Sequence, residues 1–270
     1  MSALVVLGCG FAGEALARRR LAAGGLVRAT VRRDEERDRL RASGIDAHTI
    51  PRLTQDALTG VLRDGDDLAV CFPPDGHTDA AISPLAAAMR ATVYVSSTGV
   101  YGDRTGDIDE DTPLDLATDK ARARADAESL WRAHGATVLR AAGIYGPWRG
   151  LHRRVWEGRH ALPDGGHRVV SRVHVDDLAA LMEGCLTRGL RGETFVVADQ
   201  CPVPQREAVA WLCARLGVAE VPVATGDAVP ETLRHDRRVN SARVRAATGV
   251  RLMYPGYREG FAMCLREEGM

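Results

Sequence analysis

Three side chains of this chain could take part in proton transfer. Lys120 is the only lysine among 36 basic residues, and its ammonium group could protonate a substrate oxygen. Burial beside a second cation, Arg124, would make it a better acid. Ser97 ends an apolar run, where its hydroxyl could donate a hydrogen bond to a developing alkoxide. The alternative, which the sequence leaves open, is that Lys120 is a solvated residue in the first turn of a helix without a chemical role.

A glycine motif, Gly8-Cys-Gly-Phe-Ala-Gly13, lies between the first apolar run and the first amphipathic segment. Glycine permits a tight turn at the first position, close approach of a pyrophosphate at the second, and close helix–strand packing at the third. The helix would begin near Phe11 and Ala12, and its free N–H groups would face the phosphates. The motif therefore predicts a dinucleotide site that includes Gly8, Gly10, Phe11, Ala12 and Gly13.

The end of the predicted second strand indicates which dinucleotide is bound. An acidic residue there would hold the ribose hydroxyls of NAD, but the chain has Val31-Arg-Arg33 instead. The guanidinium groups of Arg32 and Arg33 could pair with a 2′-phosphate or stack on adenine. We therefore predict NADPH (NADP+) as the cofactor. The alternative is that both arginines are solvated surface residues, since the chain is rich in arginine.

Short apolar runs alternate with amphipathic segments along the chain, which predicts parallel strands joined by helical crossovers. The predicted strands are Ala3–Leu7, Val27–Val31, Asp46–Ile50, Leu68–Phe72, Thr92–Ser96, Ala136–Leu139 and Thr194–Val197. The predicted helices are Ala12–Leu21, Glu35–Ala42, Thr54–Leu62, Thr78–Met89, Lys120–His134 and Asp176–Thr187. We expect an α/β fold: a Rossmann-like, doubly wound parallel sheet with a small C-terminal lid built from insertions. Residues 1–145 would form the dinucleotide-binding core, and residues 146–270 a substrate-binding lid interleaved with the last core elements at 174–198.

Composition narrows the classes of partner. The formal net charge is zero, which argues against nucleic acid or an anionic membrane surface as a partner. No apolar run approaches the length of a membrane span, and the first residues do not have the pattern of a signal peptide. The six cysteines have no C-x-x-C spacing, as expected for reduced thiols. We expect a cytoplasmic protein whose oligomeric state the sequence does not indicate.

Further motifs resemble one enzyme family. The glycine motif, Tyr94-Val-Ser-Ser-Thr-Gly-Val-Tyr-Gly102, Leu139-Arg-Ala-Ala-Gly-Ile-Tyr-Gly-Pro147 and Arg172-Val-His-Val-Asp-Asp-Leu178 are similar to those of extended short-chain dehydrogenases/reductases, the NAD-dependent epimerase/dehydratase superfamily. The resemblance implies that Ser97 is the catalytic serine. It also implies cofactor contacts from Phe72, Pro73, Pro74, Ser96, Tyr145 and Pro147, the last two near the nicotinamide.

The Tyr-x-x-x-Lys pair of that family is missing. Counting from Pro113 places Lys120 at the tyrosine position, and counting back from Glu128 places Arg124 at the lysine position. A frame shifted by four residues would instead put Leu116 at the tyrosine position. In either frame no tyrosine is present. Hydride transfer would then rely on Ser97 and Arg124, with the proton coming from Lys120, from water or from an acidic group of the substrate.

The start of the lid is rich in aromatic and basic residues. Trp148, His152 and Trp156 could line a flat substrate pocket, although the two tryptophans could equally pack a lid helix. These features predict an NADPH-dependent ketoreductase acting on a small-molecule ketone, such as an intermediate of aromatic polyketide biosynthesis of the angucyclinone type. The alternatives are a non-catalytic NADP-binding sensor and a sugar-nucleotide epimerase or dehydratase.

Overall fold

The segments predicted as core strands form one parallel sheet. The computed structural model describes residues 2–224 and 236–270. Its seven-stranded sheet has the order β12-β7-β5-β4-β1-β2-β3. These strands are β1 (Leu4–Leu7), β2 (Val27–Val31), β3 (Asp46–Thr49), β4 (Asp67–Val70), β5 (Ala91–Ser97), β7 (Thr137–Ala141) and β12 (Thr194–Val197). All neighbouring pairs are parallel, so the predicted Rossmann-like α/β fold is confirmed.

The strand order reverses beside β1. The chain runs from β1 through β2 to β3 on one side, and then crosses to β4 on the other side of β1. Loops that leave the carboxyl ends of β1 and β4 therefore diverge and open a crevice between them. The glycine motif follows β1 directly, which places it in this crevice.

Helices cover both faces of the sheet, as expected for strands that are buried on both sides. One face carries α1 (Phe11–Ala22), α2 (Asp34–Ala42) and α7 (Val175–Thr187), whose apolar residues share a cluster with the strands. The other carries α3 (Gln55–Leu58), α4 (Thr78–Ile82) with the 3₁₀ segment Ser83–Ala88, and α5 (Asp119–Ala133). The helix predicted over Thr78–Met89 changes to 3₁₀ geometry at Ser83, because Pro84 lacks the N–H that an α-helix needs.

The remaining described elements form the C-terminal layer. It contains α6 (Leu151–Trp156), α8 (Gln205–Leu216), α9 (Ala242–Thr248) and α10 (Tyr257–Glu267). Its short strands are β8 (Gly143–Tyr145), β9 (Leu162–Pro163), β10 (Val169–Val170), β11 (Arg172–His174), β13 (Val203–Pro204), β14 (Val223–Ala224) and β15 (Arg237–Val239), the last paired with β6 (Gly106–Ile108). Helices α6, α8 and α10 share an apolar cluster with Tyr145, so the lid packs on the last residue of the predicted core. The boundary at residue 145 stays a prediction.

Two further findings concern the chain as a whole. All six cysteines are free thiols. Among the described residues, no helix combines the length and apolar character that crossing a membrane requires.

Candidate active site

The three glycines of the motif have three different environments. Gly8 has φ +76°, and a Cβ there would lie 2.9 Å from Cβ of Phe72. A Cβ on Gly13 would lie 2.7 Å from Cγ1 of Val6, so only glycine lets α1 approach β1 this closely. A Cβ on Gly10 would meet no atom of the protein within 4 Å. The open space beside Gly10 is where the motif predicts the pyrophosphate.

The start of α1 is suited to an anion. Gly10 is its N-cap, and no side chain caps the helix. The first-turn N–H groups, beginning at Phe11 and Ala12, therefore combine unsatisfied donors with the positive end of the helix dipole. The Thr30 hydroxyl accepts a hydrogen bond from the Gly8 N–H at 3.1 Å, which fixes the turn on β2.

A cleft of about 730 Å³ extends from this turn along the carboxyl ends of β2, β3 and β4. The predicted Phe72, Pro73 and Pro74 line one wall of the cleft, and Val31 and Ile50 lie on its other side. This is the place that the resemblance assigns to the adenosine half of the cofactor. The residues present fit that group, because the cleft joins an apolar wall to the anion site at the start of α1.

The two arginines after β2 differ in position. Arg32 lines the cleft, whereas the Arg33 side chain is 71% exposed and pairs with Glu36 at 2.5 Å. The position of Arg32 therefore supports the prediction that it contacts the cofactor, and the position of Arg33 does not. Arg52, which was not predicted, follows the end of β3 and lines the same cleft. Because carboxyl ends of parallel strands meet at one edge, the position of Arg52 just after the predicted third strand was a usable signal.

Ser97 and Ser96 are on opposite sides of β5, as neighbours in a strand must be. Ser97 Oγ accepts the Gly99 N–H at 3.1 Å, which leaves its own hydroxyl proton available to a ligand. Ser96 is buried, and its Oγ donates to Oε1 of Glu128. The prediction of a cofactor contact for the Ser96 side chain is therefore not supported: the hydroxyl faces the core.

Glu128 belongs to a buried ion pair behind Ser97. Its carboxylate accepts two-pronged hydrogen bonds from Arg140, with Oε2 to Nη2 at 2.8 Å. Arg140 also donates to the Tyr101 hydroxyl, which donates to the Asp109 carbonyl. This network fixes α5 and the turn after Ser97 to β7. Glu128, from which Arg124 was counted, therefore has a structural role in this ion pair.

Lys120 and Arg124 lie one turn apart on α5 and therefore on one face of the helix. Lys120 is exposed, so the burial that would make it a strong acid is not present. Arg124 is half-buried, and its charge lowers the pKa values of Asp79 and Tyr94 against the larger effect of burial, which raises both. The charge of Arg124 therefore acts on groups of α4 and β5.

Tyr145 differs most from its predicted role. It is buried, and its ring packs against His174 and Phe261. Burial raises the pKa of its hydroxyl far above the ordinary value. The side chain thus packs in the core of the lid and not against a nicotinamide. The turn that follows does approach the motif: a Cβ on Gly146 would lie 3.1 Å from Cζ of Phe11, and the half-buried Pro147 belongs to this turn.

The predicted substrate residues separate into two environments. Trp148 and Trp156 are 65% and 48% exposed, and the Arg153 guanidinium lies over both rings at 5.6 and 4.9 Å. His152 is fully buried, with Nε2 2.7 Å from Oε1 of Glu268. Burial lowers the pKa of His152, and the neighbouring carboxylate partly opposes that shift. His152 therefore fixes the lid, while the tryptophans remain available to a ligand.

Glu268, near the end of α10, was also missed. Its buried carboxylate accepts hydrogen bonds from the Trp148 N–H at 2.6 Å and from Arg153 at 3.3 Å, besides its contact with His152. It thereby holds Trp148 in a left-handed conformation, with φ 64°. No local sequence pattern links two residues so far apart in the chain.

Comparisons with known proteins place this geometry in a family. No family model matches the chain. Protein YeeZ of Escherichia coli K12 is 31% identical over 197 residues, 66% of this chain and 70% of YeeZ. The structure of a functionally unknown conserved protein of Silicibacter pomeroyi is 30% identical, with a TM-score of 0.86 over 99% of both chains. A structure from Methylobacillus flagellatus, described provisionally as an NAD-dependent epimerase/dehydratase, is 27% identical, with a TM-score of 0.77 over 100% and 99% of the two chains.

The chain belongs to the same family as YeeZ and the Silicibacter pomeroyi protein. The Methylobacillus flagellatus protein, to which it is also similar, is described with the superfamily that the motifs resemble, which supports that resemblance. Two other relatives are named for different reactions: a 3-diazoavenalumate denitrifying reductase of a Streptomyces species, 30% identical over 175 residues, and a dTDP-glucose 4,6-dehydratase of Mycolicibacterium smegmatis, 28% identical over 185 residues. These matches cover 57% and 56% of the two relatives, respectively.

Structures of the same fold have been solved with nicotinamide cofactors. MoeE5, in complex with UDP-glucose and NAD, is 18% identical with a TM-score of 0.79, over 99% of both chains. The human epimerase family protein SDR39U1, with NADPH, is 18% identical with a TM-score of 0.73, over 99% of this chain and 100% of the other. These two likenesses show the fold, which holds NAD in the one protein and NADPH in the other.

Proposed function

We propose that this protein is an NADPH-dependent ketoreductase that reduces a carbonyl group of a small molecule. The observation that carries the proposal is the arrangement of Arg32, Gly10 and Ser97. The first two border the nucleotide cleft, and the third lies at the same carboxyl edge of the sheet. A nucleotide bound along that edge would reach from the arginine to the serine. The cofactor would supply a hydride to the carbonyl carbon.

NADPH is favoured over NADH by the charges at the far end of the cleft. Arg32 and Arg52 both line it, and a guanidinium matches the geometry of a phosphate oxygen pair. Glu36 also lines the cleft, but it is paired with Arg33, which offsets its repulsion of an added phosphate. The 2′-phosphate of NADPH would thus meet two cations.

Ser97 would hold the carbonyl oxygen. Its hydroxyl accepts the Gly99 N–H, which orients the hydroxyl while its proton remains available to donate. A preoriented donor stabilises the negative charge that develops on the oxygen. Helix α5 packs against the Thr98–Tyr101 turn after Ser97. Arg124 on that helix would take the place of the family lysine beside the nicotinamide ribose.

The source of the proton distinguishes this protein from relatives with the complete Tyr-x-x-x-Lys pair. Lys120 is exposed at the start of α5, so solvent has access to the position that the tyrosine would occupy. Water, or an acidic group of the substrate itself, can then deliver the proton after hydride transfer. An aromatic ketone with a neighbouring hydroxyl would bring such a group, and the exposed rings of Trp148 and Trp156 offer flat apolar surface for it.

One observation favours a second function. Neither Leu116 nor Lys120 is a tyrosine, and loss of the tyrosine is the change expected of an NADP-binding sensor that has lost catalysis. A sugar-nucleotide epimerase or dehydratase is less well supported, although one relative bears the name of a dehydratase. Such reactions rely on proton transfer by the tyrosine.

The proposal is tested with purified protein, NADPH and a panel of aromatic ketones with and without a neighbouring hydroxyl. We expect oxidation of NADPH, followed at 340 nm, to depend on the ketone and to fall at least tenfold in Ser97→Ala. Binding of NADPH without turnover of any ketone would instead support the sensor. Turnover that is unchanged in Ser97→Ala would refute the assigned role of the serine.

A further inference from the structure

Three basic side chains of the C-terminal layer are shielded from solvent without a counter-charge in contact. Arg172 and His160 are 5% and 3% exposed, and Arg154 is half-buried. Within residues 2–224 and 236–270, neither arginine has a carboxylate within 4.0 Å. Nε of Arg154 and Nε2 of His160 are buried and have no hydrogen-bond partner among the described residues. Such groups are costly to leave unpaired.

Other arginines of this protein that are shielded from solvent pair with a carboxylate. Arg20 pairs with Asp67 at 3.0 Å, Arg28 with Asp66 at 2.6 Å, and Arg140 with Glu128 at 2.8 Å. In each case a carboxylate of the chain neutralises the guanidinium. The cluster of Arg154, His160 and Arg172, which we call the basic cluster, lacks that neutralisation.

Both arginines of the basic cluster act on its histidine. Burial is the largest cause that lowers the pKa of His160 to about 4, and the charges of Arg154 and Arg172 add to it. His160 is therefore neutral near pH 7 and can donate or accept one hydrogen bond, while the arginines remain cationic. Both guanidinium groups are therefore within electrostatic reach of the His160 ring.

One carboxyl group, that of Asp199, acts on Arg172 from two residues after the end of β12. The Asp199 N–H donates to the Arg172 carbonyl at 2.6 Å, which places the two residues side by side. Burial raises the pKa of the Asp199 carboxyl to about 7, against the lowering effect of Arg172. Oδ2 of Asp199 has no partner among the described residues. The hydroxyls of Tyr145 and Tyr257 and the thiol of Cys201 also face Arg172, and none of them is a counter-charge at neutral pH.

Arg172 of the basic cluster lies at the same edge of the sheet as Ser97. Ser97 is paired with Ala141 on β7, and Ala141 with Val197 on β12. Arg172 is paired with Gly143, two residues beyond Ala141, and contacts Asp199, two residues beyond Val197. Neighbouring strands are about 4.8 Å apart. Arg172 is thus separated from Ser97 by one to two strand spacings, roughly the width of a small aromatic molecule.

We propose that the basic cluster binds a compact anionic group, a carboxylate or a phosphate, of the substrate whose carbonyl lies at Ser97. Only the position of the substrate carbonyl at Ser97 rests on the proposed function. Arg172 and Arg154 would supply the charge, and His160 a directional hydrogen bond. A protonated Asp199 would donate to the same anion and not repel it. The substrate class becomes a carbonyl compound that carries an acidic substituent.

The test measures anion binding separately from catalysis. Isothermal titration of the NADPH-bound protein with benzoate, with inorganic phosphate and with neutral benzamide compares the two anions with an uncharged molecule of similar shape. The variants are Arg154→Met, Arg172→Met and His160→Gln. Arg159→Met is the matched control, because it removes the same charge from the same segment at an exposed position where Arg159 pairs with Glu157.

We expect benzoate or phosphate to bind the parent protein with one site, and benzamide to bind at least tenfold more weakly. Affinity for the anion should fall at least tenfold in Arg154→Met and in Arg172→Met, and change less than twofold in Arg159→Met. Circular dichroism and NADPH affinity show whether each variant folds. If Arg172→Met does not fold, Arg154→Met and His160→Gln decide the question.

Two results would overturn the proposal: neither anion binds the parent protein, or Arg154→Met binds the anion as the parent does. Either result is compatible with normal NADPH binding and ketone turnover, so the failure of the anion site is distinguishable from failure of the ketoreductase. A preference for benzoate assigns the site to a carboxylate, and a preference for phosphate assigns it to a phosphate ester. Both preferences support the proposal.

Discussion

Gly10→Ala separates the folding role of the glycine motif from its role in binding. Gly10 has φ −93° and ψ −152°, extended geometry that an L-residue adopts without strain. The new methyl group meets no protein atom within 4 Å. Alanine restricts the unfolded chain, which stabilises by about 0.4–1 kcal/mol, but it is a poorer N-cap than glycine by roughly the same amount. We expect the free energy of unfolding to change by less than about 1 kcal/mol.

Binding of NADPH should change far more. The methyl group would occupy the space that the pyrophosphate needs and would separate it from the N–H groups at the start of α1. Loss of one or two hydrogen bonds to a charged group is worth about 3 kcal/mol, which corresponds to roughly a hundredfold in Kd. Titration of NADPH fluorescence measures the affinity, and urea unfolding without cofactor measures the stability.

Gly13→Ala is the matched control for this experiment. Its methyl group would lie 2.7 Å from Cγ1 of Val6, and overpacking of this kind costs about 1–3 kcal/mol. We therefore expect a large loss of stability from Gly13→Ala and a large loss of affinity from Gly10→Ala. If Gly10→Ala binds NADPH as tightly as the parent protein, the pyrophosphate does not lie beside Gly10 and the assignment of the cleft is refuted.

The remaining predictions concern charges. Replacement of Arg32 or Arg52 with Ala should lower the affinity for NADPH about tenfold or more and leave the affinity for NADH within about twofold, because each change deletes one charge-assisted hydrogen bond to the 2′-phosphate. Arg33→Ala is the control. Equal losses of affinity for both cofactors would argue against NADPH as the cofactor. Lys120→Ala should leave kcat within a few-fold, since solvent reaches that position, whereas a loss of about a hundredfold in steady-state assays would make Lys120 the proton donor. In the protein without ligands, folded Asp199 keeps its proton up to a pH of about 7, while the unfolded chain loses it near 4. Stability should therefore fall by an amount on the order of 4 kcal/mol as the pH rises across that window. Urea unfolding of Asp199→Asn should show that slope removed, and an unchanged slope would mean that another group causes it.

Much of the Rossmann core could be predicted from the sequence because its signals are local. An apolar run followed by the glycine motif predicts β1, the turn and α1 from neighbouring residues. The prediction of one α-helix over Thr78–Met89 was wrong after Ile82, because Pro84 changes the helix to 3₁₀ geometry without ending it. The sequence could not show that Arg32 and Arg33 have different positions. The difference depends on the ion pair between Arg33 and Glu36, which forms only in the geometry of α2.

The site was harder to predict where tertiary contacts decide a side chain's direction. Period-two alternation requires Ser96 and Ser97 to face opposite sides, but only the Glu128–Arg140 pair shows which side is the core. Tyr145 follows a family motif and yet packs inside the lid, because residues of α10 more than a hundred positions later cover it. The basic cluster could not be predicted from the sequence for the same reason. No local pattern distinguishes Arg154, His160 and Arg172 from the other basic residues of this chain.

Transfer of deuterium from the cofactor tests the central claim most directly. The protein is incubated with NADPH deuterated at the reactive C4 position and with an aromatic ketone that carries a carboxylate, and the product is analysed by mass spectrometry and NMR. We predict an alcohol that contains one deuterium on the former carbonyl carbon, formed by the parent protein and at least tenfold more slowly by Ser97→Ala. NADPH that binds in the cleft but transfers no deuterium to any ketone of the panel would contradict a ketoreductase and leave a nucleotide-binding sensor.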